Sequence, residues 1–140
     1  MKTKRNAPDN RLLEKHFQEQ IRELCKIYGW RFWFCWTSIH SPRGMPDLIL
    51  AKTLDDNETV LVTAELKREK GELSPPQAEW LEILSKVNGI FAFVWRPSDF
   101  DLILLLLQSK GLPDIIKTWK KHALSAKEPF GLSLAMRKTE

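Results

Sequence analysis

Two short stretches of this chain carry residues whose types and spacing could do chemistry together. Asp47 closes Gly44-Met45-Pro46-Asp47 and opens onto the apolar run Leu48-Ile49-Leu50-Ala51. Glu65 and Lys67 close a second β-rich run, Val60-Leu61-Val62-Thr63-Ala64. The polar break Leu54-Asp55-Asp56-Asn57-Glu58-Thr59 between them has hairpin length. Alternate residues of a strand share a face, so Glu65 and Lys67 point one way and Leu66 the other. Asp47, at the start of the neighbouring strand, can sit beside Glu65. Two carboxylates at roughly 4 Å repel by about 4 kcal/mol with an effective dielectric of ~20. A cation between them offsets that cost, and a hard divalent metal with oxygen ligands is the natural candidate.

In that arrangement Asp47 and Glu65 are metal ligands and the Leu66 carbonyl supplies a third oxygen. Lys67 stands close enough to orient an attacking water or neutralise a phosphate oxygen. A bound metal makes its water more acidic and clamps phosphoryl oxygens. Phosphodiester hydrolysis has those needs, because charge accumulates on the transferring group. Taken singly, each piece has a plainer meaning: Glu-x-Lys at a strand end is ordinarily a solvated edge pair, and Pro-Asp a turn. Arg43, Arg68 and Lys70 flank the site on loops and could neutralise phosphates, although a solvated surface accounts for each equally well. Gly44 permits positive φ in a tight loop and would let a phosphate approach the backbone. His40 lies in the same loop, where a solvated side chain is the simpler account. His16 and His122 have no partner pattern.

The elements that must position these residues can be read from periodicity. Asp9 or Asn10 can cap a helix to about Tyr28, with Leu13, Phe17, Ile21, Leu24 and Tyr28 on one stripe. Gly29 stops it. Arg31 to Thr37 alternates as a strand, and Ser38 to Pro46 is a loop. Strands follow at about 47–52 and 59–67. Ser74 can cap a helix with Pro75 and Pro76 in its first turn, ending at Asn88-Gly89. Ile90 to Trp95 is a strand. Ser98 and Asp101 suggest a capping box for a helix to about Ser109, and Pro113 to Leu124 a last helix. The expected organisation is a flexible basic arm at 1–8, one domain over 9–125 and a tail at 126–140. The first three strands fit an antiparallel meander. The helix at 75–87 is then a crossover returning the strand at 90–95 parallel to that at 59–67.

Arg43-Gly44-Met45-Pro46-Asp47-Leu48, Ala64-Glu65-Leu66-Lys67 and Gly71-Glu72-Leu73-Ser74-Pro75-Pro76-Gln77 with Trp80-Leu81 together resemble the VRR-NUC branch of the PD-(D/E)xK nuclease superfamily. The resemblance runs from about Leu13 to Phe100. It implies an α/β, restriction-endonuclease-like core in αβββαβ order, with a mixed sheet flanked by helices. It also implies hydrolysis of nucleic acid with Mg2+ or Mn2+. Its first-helix glutamate falls on Glu14, in Glu14-Lys15-His16-Phe17-Gln18, near the metal or bound through water. Glu19 competes for that role. Its crossover-helix glutamine falls on Gln77. The catalytic set it implies is Glu14, Asp47, Glu65, Lys67 and Gln77.

Composition bounds the rest. The chain has 140 residues and a net charge of +4, a mild lean toward polyanions. Cys25 and Cys35 have no metal-ligand spacing and read as buried thiols of a reducing compartment. Met1 to Asn10 lacks the apolar stretch of a signal peptide. The longest apolar run, Leu102 to Leu107, is far short of the roughly 20 residues needed to span a bilayer. These features point to a cytoplasmic protein without membrane contact, and a bacterial or phage recombination and repair setting fits them. Trp33, Trp36, Trp80 and Trp95 read as core. Core is also the simpler account of Trp30, at a helix end, and Trp119, beside lysines, although each could stack on bases. The leucine run exceeds one helix face, and burial on two sides or at a homodimer contact would explain it. Little chain remains for a base-reading module, so the expected substrate is DNA recognised by shape: junctions, flaps or branches. A binding module of the same fold without turnover, and an RNA-processing nuclease, are the rival readings.

Overall fold

The structure is a computed structural model describing residues 10–35 and 42–125, with side chains described for 14–35 and 42–120. In order, the chain forms α1 (Asn10–Tyr28), β1 (Arg31–Phe34), β2 (Leu48–Thr53), β3 (Thr59–Leu66), α2 (Pro75–Ser85) and β4 (Ile90–Trp95). A 3-10 turn (Pro97–Asp99), α3 (Phe100–Gln108) and α4 (Leu112–Ser125) complete it. The sheet order is β1-β2-β3-β4. β1 and β2 pair antiparallel, as do β2 and β3, and β3 pairs parallel with β4. The αβββαβ order and mixed sheet match the expectation, with most ends within one or two residues and β1 ending at Phe34 rather than Thr37. The expected arm at 1–8, the end of the first strand at Trp36-Thr37, His40 and the tail at 126–140 lie outside the described residues, as does the His122 side chain.

Alternation along the strands separates two faces. Phe32, Phe34, Leu48, Leu50, Val62, Ala64, Leu66, Phe91, Phe93 and Trp95 face the larger core. Phe17, Ile21 and Cys25 of α1, Ile103, Leu106 and Leu107 of α3, and Ile115 and Trp119 of α4 close it. Of the stripe read on α1, Phe17 and Ile21 are buried and Leu24 and Tyr28 pack at the margin, while the Leu13 side chain lies outside the described residues. Burial pushes the Cys25 thiol up to about 12, as expected of an inert core cysteine. On the opposite face α2 lays Leu81 over Ala92 and Val94 of β4, with Leu73 and Leu84 beside them. The leucine run of α3 is buried by packing against both α1 and α4, leaving Leu105 exposed. Among the described residues no helix is long and apolar enough to cross a membrane.

Two of the described tryptophans, Trp33 and Trp80, depart from the expected core placement. Trp30 and Trp119 are buried in the larger core. The Trp30 indole N–H donates to the Leu107 carbonyl at 2.9 Å, which satisfies its only polar group. Trp119 meets Phe91 and Phe93 edge-on, each at 6.4 Å between centroids. Trp33 and Trp80, expected in the core, are instead 52% and 37% exposed, while Trp95 is buried as expected. Periodicity ranked these residues by local pattern, whereas long-range packing decided them. The capping box before α3 also differs from the expectation. Asp99 accepts from the Arg96 N–H at 2.9 Å, whereas the Ser98 N–H and hydroxyl both donate to Glu69.

Candidate active site

The site lies where one ladder ends and its neighbour continues. β2 and β3 pair as far as Leu48↔Ala64. β3 and β4 run on to Leu66↔Trp95, and the Lys67 N–H still donates to the Trp95 carbonyl at 2.9 Å. Extending the β2–β3 register puts Pro46 opposite Leu66, and proline has no N–H to give. The Asp47 side chain takes the vacated place, and its Oδ2 accepts the Leu66 N–H at 2.8 Å. The Asp47 carbonyl turns the other way and accepts the Cys35 N–H at 2.8 Å. The Leu66 carbonyl is thereby left facing the open side of the ladder, beside Asp47.

Asp47 and Glu65 share the face opposite Leu48, Ala64 and Leu66, the face that α2 partly covers. Glu65 is 3% exposed. Its Oε1 accepts from Gln77 Nε2 at 2.8 Å, and its Oε2 is buried with no hydrogen-bond partner. Gln77 acts at both ends. Its Oε1 accepts the Ser74 N–H at 2.9 Å, and Ser74 Oγ accepts the Gln77 N–H at 3.4 Å, which closes a reciprocal capping box. One residue thus fixes the start of α2 and the orientation of the Glu65 carboxyl. Gly44 sets the loop's approach to α2: at φ +103°, an added Cβ would lie 2.5 Å from the Pro76 carbonyl oxygen.

Burial, and next the charge of Asp47, push the Glu65 carboxyl up to about 9. Burial also raises Asp47, opposed by the Leu66 N–H and by Lys67. The Lys67 ammonium favours the ionised form of both acids. The two carboxyl groups are near enough to hydrogen-bond when one carries a proton, so without a metal the pair retains a proton on Glu65. A divalent cation fits the same position. The donors are all hard oxygens, and Glu65 Oε2 is a buried acceptor awaiting a positive partner. Two carboxylates and a carbonyl suit Mg2+ or Mn2+, since Mg2+ usually keeps several waters and takes only one or two protein carboxylates.

Apart from Leu66 and Gln77, none of the other expected residues is hydrogen-bonded to this pair. Arg43, Arg68 and Lys70 are exposed. Glu14 is half-exposed and stands 4.0 Å from Arg68. Glu14 and Glu19 both line a groove of about 350 Å³ between α1 and β1, which reaches Cys35. Among the described residues no third acid, histidine or cysteine joins Asp47 and Glu65 as a metal-holding group. The loop after Lys67 is tied down by contacts far apart in sequence: Glu69 accepts from Ser98, and Arg96 donates to the Gly71 carbonyl at 2.9 Å. No local pattern announces those contacts. The role of Pro46 in ending the ladder also went unread, although its missing N–H was there to be noticed.

A four-stranded mixed sheet with helices on both faces, and an acid pair with a lysine at a broken ladder, define a restriction-endonuclease-like α/β protein. The model of the VRR-NUC domain matches residues 2–96, and the chain belongs to that family, within the PD-(D/E)xK nuclease superfamily. It is therefore a nuclease domain of that type, with DNA the implied partner. Nucleases of this superfamily generally use divalent metal ions. No curated protein and no solved structure matches the chain. α3 and α4 lie beyond the matched residues.

Proposed function

We propose that the protein is a Mg2+- or Mn2+-dependent endonuclease that cuts phosphodiester bonds in DNA and selects branched, flapped or junction structures over a fixed sequence. The observation that carries this reading is the pair of half-buried Asp47 and buried Glu65, with Lys67 beside it and one Glu65 oxygen left without a partner. Asp47, Glu65 and the Leu66 carbonyl would hold the cation, which when bound supplies an acidified water and offsets charge on the phosphoryl oxygens. Asp47 is held by the Leu66 N–H and Glu65 by Gln77, so neither acid has to be ordered when substrate arrives. Lys67 favours the ionised form of both acids and presents a second positive charge to the phosphate. Arg43, Arg68 and Lys70 offer exposed charge for flanking phosphates. Glu14 and Glu19 are the candidates on α1 for a water-mediated contact to the metal, Glu14 being preferred.

The test is cleavage of supercoiled plasmid, linear duplex, flap, junction and RNA substrates with Mg2+, Mn2+ or chelator. Metal-dependent cutting of branched DNA, lost in Asp47→Ala and Lys67→Ala proteins that melt cooperatively, is expected. Full activity in either variant would sink the mechanism. DNA binding without any cleavage would point to a binding module, and preferential cutting of RNA to an RNA-processing enzyme.

A further inference from the structure

α2 covers only part of the face that bears the acid pair. It packs Leu81 on Ala92 and Val94 of β4, and among the described residues no helix packs on the β1–β2 half of that face. Phe32 and Phe34 turn into the larger core, so Arg31 and Trp33 occupy the uncovered face of β1. Both are exposed, Trp33 to 52%. The register sets Trp33 opposite Ile49, and Ile49 opposite Thr63. Asp47 is two residues before Ile49 on the same face, which makes it the diagonal neighbour of Trp33. Such neighbours are roughly 7–8 Å apart, within reach of an aromatic side chain. An indole with a free π-face therefore stands one step from the metal-binding acid, with a guanidinium next to it along the strand.

We infer that Trp33, assisted by Arg31, is a stacking platform for an unpaired DNA base next to the scissile phosphate, and that it biases the enzyme toward DNA with single-stranded character. The inference rests on the nuclease reading and supplies its substrate class. Stacking on an aromatic requires a base that has left its own stack, so a fully paired duplex cannot use this surface without being opened. Arg31 adds positive charge along the same strand, the pairing of aromatic and cation that suits single-stranded nucleic acid. Trp33 makes no claim on the chemistry itself; it is a specificity-determining residue.

The experiment compares wild type, Trp33→Ala and Trp33→Phe as full chains, with thermal melting as the folding control. Binding is measured in chelator by fluorescence anisotropy on oligothymidylate, on a flap and on a fully paired duplex. Cleavage of the flap and the duplex follows in Mg2+. Trp33→Ala should weaken oligothymidylate and flap binding by about 5- to 150-fold, the range for loss of one base–aromatic stack. It should raise KM on the flap more than it lowers kcat, and change duplex binding by less than about twofold, since no stack is lost there. Trp33→Phe should restore most of the loss. Equal losses on flap and duplex, no loss at all, or failure of phenylalanine to rescue would each overturn the inference. A wild-type dimer that Trp33→Ala dissociates in light scattering would also overturn it, by assigning the indole to a contact between copies. If no nucleic acid were cut, the nuclease reading would fail, while Trp33-dependent binding to single strands would still support the platform.

Discussion

Gly44→Ala offers the sharpest check on how the loop before Asp47 is held. A Cβ there would sit 2.5 Å from the Pro76 carbonyl oxygen, 2.6 Å from its carbon and 2.8 Å from Trp80 Cδ1. The first two are backbone atoms of the α2 start, which the Ser74–Gln77 capping box pins, so they cannot swing away. Two costs add. A side chain at φ +103° is strained by about 1–3 kcal/mol. Forcing an extra carbon into a packed contact costs about 1–3 kcal/mol more. Their sum, about 2–6 kcal/mol, corresponds to a fall in Tm of roughly 8–20 °C for a domain of this size. Gly29→Ala is the matched control. Its φ is +77° but nothing lies within 4 Å of the added Cβ, so only strain remains. The difference between the two variants isolates the clash. Circular-dichroism melts in chelator measure it. Trp80→Ala in the Gly44→Ala background should recover little, because the closest contacts are to Pro76. A Tm loss no larger than that of Gly29→Ala, or full recovery by Trp80→Ala, would refute the reasoning.

Three further outcomes follow from the site. Glu65 titrates near 9 in the folded protein against an ordinary 4.5, so the native state keeps a proton that the unfolded chain has lost between those values. Stability in chelator should therefore fall as pH rises from about 5 to 9; Mg2+ should lessen the fall and Glu65→Gln flatten it, and equal slopes for wild type and variant would refute the assignment. Gln77→Ala should lower Tm by a few degrees, consistent with about 0.5–2 kcal/mol for a lost cap, and weaken Mn2+ binding in calorimetry. Gln77→Glu can keep an acceptor for the Ser74 N–H but sets a third carboxylate against Glu65, so its cleavage at neutral pH should be the poorer of the two. Arg43→Ala and Lys70→Ala should each reduce the slope of log binding constant against log salt by about one on every DNA, if each contacts a phosphate; unchanged slopes would remove them from the interface.

Much of the fold was legible because its signals are local. The stripe on α1, the alternation in β2 and β3 and the Ser74-Pro75-Pro76 helix start are all written within a few neighbouring residues. The nearness of Asp47 to Glu65 was legible because each sits at the end of a β-rich run and a hairpin-length break joins the two runs, and Gln77 stood out because it sits in a motif with Gly71 and Ser74. What was hidden depends on residues far apart in sequence. The lysines around Trp119 give no sign of Phe91 and Phe93, the partners it meets. Trp33 looked like core because its strand alternates large residues on both faces, and no local pattern says that a second layer stops short of β1. Ser98 looked like a cap for α3, yet Glu69, from a loop 29 positions earlier, claimed both its donors. Glu14 and Glu19 line one groove, so spacing alone could not separate them.

The asymmetry of the two layers explains how one sheet meets two demands that conflict. Carboxylates that are to hold a cation tightly gain from a dry surrounding, in which their charges are costly without it. A polymeric substrate needs an open surface that a duplex or branch can lie across. α1, α3 and α4 cover one face with aromatic and aliphatic side chains. On the other face α2 covers β4 and, through Gln77, reaches Glu65, but goes no further. Asp47 and Glu65 sit at the boundary between the covered and the bare halves. Glu65, under α2, is buried enough to keep a proton, whereas Asp47 is half-buried on the open side. Extending α2 cover to β1 would bury both acids, and removing it would leave Glu65 solvated and without its Gln77 donor. The edge of that helix is thus what makes the acid pair both poised and reachable, and it is also why Trp33 is left exposed beside it.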